Sequence, residues 1–219
     1  MSIKLGKLIG IATLSVSMAT VAIAANAQSF GFGKKKESSV DWGNLSTQSD
    51  AALINLYQGQ ATLSSAVADL ADILELQDEA AGLRASAKAV SECGASSCSE
   101  FSEVTEQDAK VQEQVVAELH KQAESLSEEQ KEKAGEALKK YVVGGIQFAS
   151  GLKDAQKLIE VAADAPMLQK PKFLGLIKAV PTAAKGAGNI IQTAPALFNV
   201  ATAADIKEPE GKDDLMNML

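Results

Sequence analysis

Residues 134–162 read AGEALKKYVVGGIQFASGLKDAQKLIEVA, and their spacing decides the fold class. Ala134, Leu138, Tyr141, Gly145, Phe148, Leu152, Ala155, Ile159 and Ala162 alternate at four and three residues, which places them along one seam of a helix. Just upstream, SLSEEQ at residues 125–130 offers two overlapping capping boxes, Ser125 with Glu128 and Ser127 with Gln130, so a new helix starts there. A continuous helix running through this point from the preceding segment is the alternative. Pro166 and Pro171 end the seam, because a proline biases the residue before it away from helix.

The same alternation returns downstream as Phe173, Ile177, Val180, Ala184, Ala187, Ile191, Ala194, Phe198 and Ala201. This segment carries Pro181 and Pro195, so it is one kinked helix or several short ones. Lys178 and Lys185, with Asn189, Gln192, Thr193 and Asn199, make it a poor membrane span. Gly144, Gly145, Ala149 and Gly151 on one helix and Ala184, Gly186, Ala187 and Gly188 on the next predict a tight antiparallel hairpin between the two.

Upstream, Leu53, Leu56, Gln60, Leu63, Val67, Leu70 and Leu74 form a seam on a helix that starts with Ser49 or Asp50 as its cap. It extends as far as Ser91, weakened in its last third by Gly82, and Gly94 suits a left-handed stop. A thinner, densely charged helix begins near Glu100, with Val104, Val111, Val115, Leu119 and Leu126 on its apolar side. Strand-like alternation is hard to find, and aromatics are only 4 % of the chain, which favours helices packed through small and aliphatic side chains. The expected fold is therefore all-α, an elongated antiparallel helical bundle of about four helices with heptad-like seams.

The first 27 residues have a basic start at Lys4 and Lys7, an uncharged apolar run from Leu8 to Ala24, and small residues in an A-x-A pattern at Ala25 and Ala27. That is the anatomy of a Sec-type signal peptide cut before Gln28, and it points to the periplasm of a Gram-negative cell. The domain plan is a signal peptide over 1–27, a flexible arm over 28–48, the bundle over 49–204 and an acidic flexible tail over 205–219. Lys34, Lys35 and Lys36 in the arm suit anionic headgroups, although three charges bind weakly on their own. The tail ends in Leu215, Met216, Met218 and Leu219, a frayed terminus or a docking peptide.

Cys93 and Cys98 are the only cysteines, and in an exported chain such a pair forms a structural disulfide that pins a turn. Their four-residue interval is not the spacing of a redox-active pair. Removing Lys4 and Lys7 takes the net charge from −7 to about −9, a poor match for the phosphates of nucleic acid.

No catalytic constellation emerges. His120, the single histidine, lies with Glu124 on the charged helix, and two such residues fall short of the three or four ligands of a zinc site. The chain has no G-x-S-x-G elbow, no C-x-x-C-H haem attachment, no P-loop and no dinucleotide glycine pattern. The expectation is a non-enzymatic exported protein without cofactor or metal, in a protein-binding or structural role in the cell envelope. The alternative is a lipid or apolar-ligand binder, or a membrane-surface protein, using the Ala/Gly/Pro-rich C-terminal hairpin. The partners to expect are an envelope protein, a lipid or membrane surface, or a second copy of the chain.

Overall fold

The computed structural model describes residues 40–95 and 97–219. The expected signal peptide over 1–27 and residues 28–39 of the expected arm lie outside the described residues. The described residues form helices α1 (Trp42–Ile73), α2 (Gln77–Ser91), α3 (Phe101–Gln122), α4 (Glu128–Ala162), α5 (Leu174–Ala203) and α6 (Lys212–Met218), with a 3-10 turn at Lys170–Phe173. They contain no strand, and the fold is an all-α bundle, as the seams predict.

α1 is the axis of the bundle and packs most extensively on α4. The contact is antiparallel: Leu56 meets Gly151, Gly59 meets Phe148, and Leu63 meets Gly144. A methyl group at Gly59 would lie 2.5 Å from the Phe148 backbone nitrogen; at Gly144 it would lie 2.8 Å from the nitrogen of Leu63, and at Gly151 2.8 Å from that of Leu56. Backbone therefore touches backbone along this seam. Gly144 and Gly151 of α4 thus serve α1 rather than a tight hairpin with α5, because α1 supplies its own Gly59 at the crossing.

α3 runs parallel to α1, with Tyr57 edge-on to Phe101 at 5.0 Å and Gln60 bonded to Asp108. α5 in turn runs parallel to α3, since Gly186 faces Thr105 and Thr193 faces Gln112. The connectivity is up-and-down from α1 to α5. The two seams read on α1 and α4 are buried throughout except at Ile159, which is half-buried, and so is that on α3.

Several boundaries differ from expectation. α1 begins at Trp42, inside the expected arm, because the Asp41 carboxylate accepts from the backbone N–H groups of Gly43 and Asn44 and Trp42 stacks edge-on to Phe173. The expected long first helix is instead a hairpin of α1 and α2. It breaks at Glu75, which adopts φ 62°, while the Leu76 N–H returns to the Ala71 carbonyl at 2.8 Å. This is a Schellman ending with an acid where glycine is usual, so no sequence signal announced it. α5 ends the same way, with Asp205 at φ 59° and the Ile206 N–H on the Ala201 carbonyl at 2.9 Å. At the start of α4 the Ser127–Gln130 capping box forms, and the Gln130 amide also donates to the Ile73 carbonyl at the end of α1.

α5 is a single helix containing both prolines. Its buried side follows the expected stripe only in part: Phe173, Ala187, Ala194, Phe198 and Ala201 are buried and Val180 is half-buried. Ile177, Ala184 and Ile191 face solvent, the isoleucines 48 % and 44 % exposed, and Leu176, Ala179, Ala183, Gly186, Ala187 and Ile190 face inward. A seven-residue repeat drifts around a 3.6-residue helix, so two apolar stripes compete. The smaller one is buried because a side chain at Gly186 would come within about 3 Å of Thr105 and Phe148.

The tail, too, is ordered against the body. α6 places a fully buried Leu215 in the notch at Gly145, where an added methyl would lie 2.7 Å from the leucine Cδ1.

Gly59→Ala should cost about 1–3 kcal/mol or more in a urea-unfolding measurement, because two backbones must separate. Gly188 has nothing within 4 Å of its missing side chain, so Gly188→Ala should leave stability unchanged or raise it by about 0.5–1 kcal/mol.

Candidate functional site

The centre of the bundle holds a polar cluster. Asp108 of α3 is almost wholly buried, and its Oδ2 accepts from Gln60 Nε2 at 2.6 Å and from the Ser64 hydroxyl, both on α1. Its Oδ1 is buried without a partner. One helical turn further, Gln112 Oε1 accepts from the Tyr141 hydroxyl of α4 at 3.1 Å and the Thr193 hydroxyl of α5 at 2.8 Å.

Burial raises the Asp108 carboxyl from 3.8 to about 7, and the bonds from Ser64 and Gln60 only partly offset this. The local geometry favours the neutral acid. Ser64 Oγ lies near both Oδ2 and the Gln60 carbonyl, the latter at 2.9 Å, and has one proton to give. In the neutral acid the first of these bonds reverses: Oδ2–H donates to Ser64 Oγ, and Ser64 donates to that carbonyl. Burial likewise raises the Tyr141 hydroxyl, and a charged Asp108 would raise it further.

Chemically this cluster resembles a serine paired with a carboxyl, but Ser64, Asp108 and Tyr141 are each at most 1 % exposed. Three clefts open on the surface of the bundle near these helices, and Ser64, Asp108 and Tyr141 line none of these three. Its role is to specify which faces of α1, α3, α4 and α5 meet. In the sequence it hides in the seven-residue gap between Val104 and Val111 of the α3 stripe; the residue one turn into that gap is Asp108. An acid at a core position was the available signal.

An open groove of about 1170 Å³ lies between the hairpin of α1 and α2 and the start of α4. Its cations are held by acids: Arg84 bridges Asp69 and Asp72, and Lys140 holds Asp69 at 2.9 Å and the Ser65 hydroxyl at 2.6 Å. These side chains are a third to a half exposed, where such pairs contribute little. A smaller polar cleft of about 320 Å³ lies between α3 and α5, lined by Glu106, Thr182, Lys185 and Asn189 among others.

Cys93 and Cys98 are joined, with sulfurs 2.04 Å apart, across the turn from α2 to α3, where Gly94 takes φ 58°. A closed disulfide is compatible with an oxidising, exported location. Glu100 completes a three-donor cluster with these sulfurs, but sulfurs bonded to one another are not thiolate ligands. His120 and Glu124 are both exposed and belong to no such cluster among the described residues.

The least explained surface is the end of the molecule where α4 turns into α5. Met167 and Leu168 are each 89 % exposed, and Leu174 and Ile177 follow at about half. Four of the nine exposed large apolar side chains among the described residues thus lie within eleven positions. The sequence read this stretch only as a proline-bounded connection, since exposure at a turn leaves no periodic trace. No helix among the described residues is long and apolar enough to cross a membrane.

No family model matches the chain, and neither a curated protein nor a solved structure is similar to it.

The Asp108 carboxyl titrates near 3.8 when unfolded and about 7 when folded, so the native state binds the extra proton between these values. Its contribution is full below 3.8 and lost as pH rises to about 7, on the order of 4 kcal/mol. Urea unfolding across this range should show that decline in the parent relative to Asp108→Asn. A difference that stays constant with pH would refute the assignment.

Proposed function

We propose that this is a non-enzymatic exported protein with a binding or structural role in the cell envelope, and that the turn between α4 and α5 is its docking end. The observation that carries this reading is the concentration of exposed apolar side chains at Met167, Leu168, Leu174 and Ile177. Fully exposed leucine and methionine neighbours at a turn contribute nothing to the bundle, and clustered apolar surface of this kind marks sites of association. The leader sequence and the disulfide between Cys93 and Cys98 support export, and a Gram-negative periplasm is the compartment we infer.

A catalytic role has less support. The serine–carboxyl pairing of Ser64 and Asp108 is buried, and in the cleft beside α1 and α2 the cations Arg84 and Lys140 are held by Asp69 and Asp72. Nor is an opened hairpin needed to expose apolar surface, because the closed structure already presents it.

The test is fractionation of cells that express the full chain, comparing the parent with Met167→Ser/Leu168→Ser. Since both side chains are exposed, unfolding temperature should not change. Association with the envelope fraction should fall at least about tenfold, given about 1.5–3 kcal/mol for each apolar side chain buried on docking. Unaltered association would remove this end from consideration.

A further inference from the structure

The docking end has a charge pattern that narrows its partner. Residues 165–204 contain Lys170, Lys172, Lys178 and Lys185 and not one aspartate or glutamate, in a chain whose net charge is −7. All four lysines are exposed, and none forms an ion pair within the described residues. The outward face of α5 continues the motif. Leu174, Ile177, Pro181 and Ala184 follow helical spacing along it, with Lys178 next to Ile177 and Lys185 next to Ala184. That stripe is the one α5 left unburied when its smaller side packed on α3 and α4.

Resting on the docking reading above, we infer that the partner is an anionic lipid surface. Met167 and Leu168 enter the headgroup region, and the first turns of α5 lie in the interface. An apolar stripe interleaved with lysines is the composition of an interfacial helix, and lysine stems lie along apolar surface while their ammonium groups reach outward to phosphate. A second copy of the chain fits less well, because pairing residues 165–185 with themselves would oppose lysine to lysine, and Asp164 is the one acid adjoining them in the chain. The three clefts described lie elsewhere, and none is lined by residues 165–178. Peripheral attachment agrees with the lack of a spanning helix among the described residues.

The experiment is sedimentation of the purified exported chain with vesicles of phosphatidylcholine alone or mixed equally with phosphatidylglycerol. Binding should require phosphatidylglycerol and weaken with added salt. Each lysine near an anionic surface raises partitioning roughly fivefold, so Lys170→Gln/Lys172→Gln/Lys178→Gln should reduce binding about a hundredfold. Met167→Ser/Leu168→Ser should reduce it at least about tenfold. Trp42, the only tryptophan, packs on Phe173 beside these positions, and unchanged emission in buffer certifies that a variant is folded.

Equal binding to both vesicle types, or full binding by the lysine variant, overturns the inference. If no vesicle binds while Met167→Ser/Leu168→Ser still leaves the envelope fraction, the partner is a protein, and only the docking reading stands. If that variant remains in the envelope fraction, the docking reading itself fails.

Discussion

The rest of the bundle depends on the backbone contact between α1 and α4. Three glycines, Gly59, Gly144 and Gly151, lie where any side chain would strike main-chain atoms of the opposite helix. Helices that close remove more of each other's surface from water than helices held apart by large side chains, and they do so with few aromatic residues. The contact also orients α4. With Gly144 turned to α1, adjacent Gly145 opens onto a different flank, and Leu215 of the C-terminal helix fills that notch. Phe148, seated over Gly59, is left to meet Phe101 of α3 and Gly186 of α5.

Polar groups then select among the ways the remaining helices could pack. A stripe of valines and alanines would slide with little loss, whereas Asp108 finds donors only where Gln60 and Ser64 face it. Gln112 does the same for α4 and α5 through Tyr141 and Thr193. A buried unpaired polar group costs more than a misplaced methyl, so these bonds set the register of four helices. Because α4 already lies antiparallel against α1, the up-and-down path leaves α5 a place beside α3, in the same direction as its neighbour.

That placement produces the surface we assign to docking. α5 carries two apolar stripes, and its neighbours can cover one. The stripe built from alanine and glycine fits the narrow space beside Phe148 and Thr105; the one bearing Leu174, Ile177 and Ile191 is left outside with Lys178 and Lys185. An apolar and cationic face on a chain with a net charge of −7 is thus a consequence of how the interior is filled.

Helix content, the seams of α1, α3 and α4, the Ser127 cap and the pairing of Cys93 with Cys98 were legible in the sequence by itself, because each rests on interactions between residues close along the chain or on a repeating period. The break at Glu75, the docking of Leu215 and the choice of stripe on α5 were not. Glu75 and Asp205 adopt a backbone conformation that local sequence disfavours and only the packing of the following Leu76 and Ile206 rewards. Which of two similar stripes is buried depends on the shape of the groove that receives it, and that shape exists only after α1, α3 and α4 have come together. Periodicity determined that helices would form and that they would pack; the tertiary structure decided which surfaces remained in water, since that is settled by contacts between segments far apart in the chain.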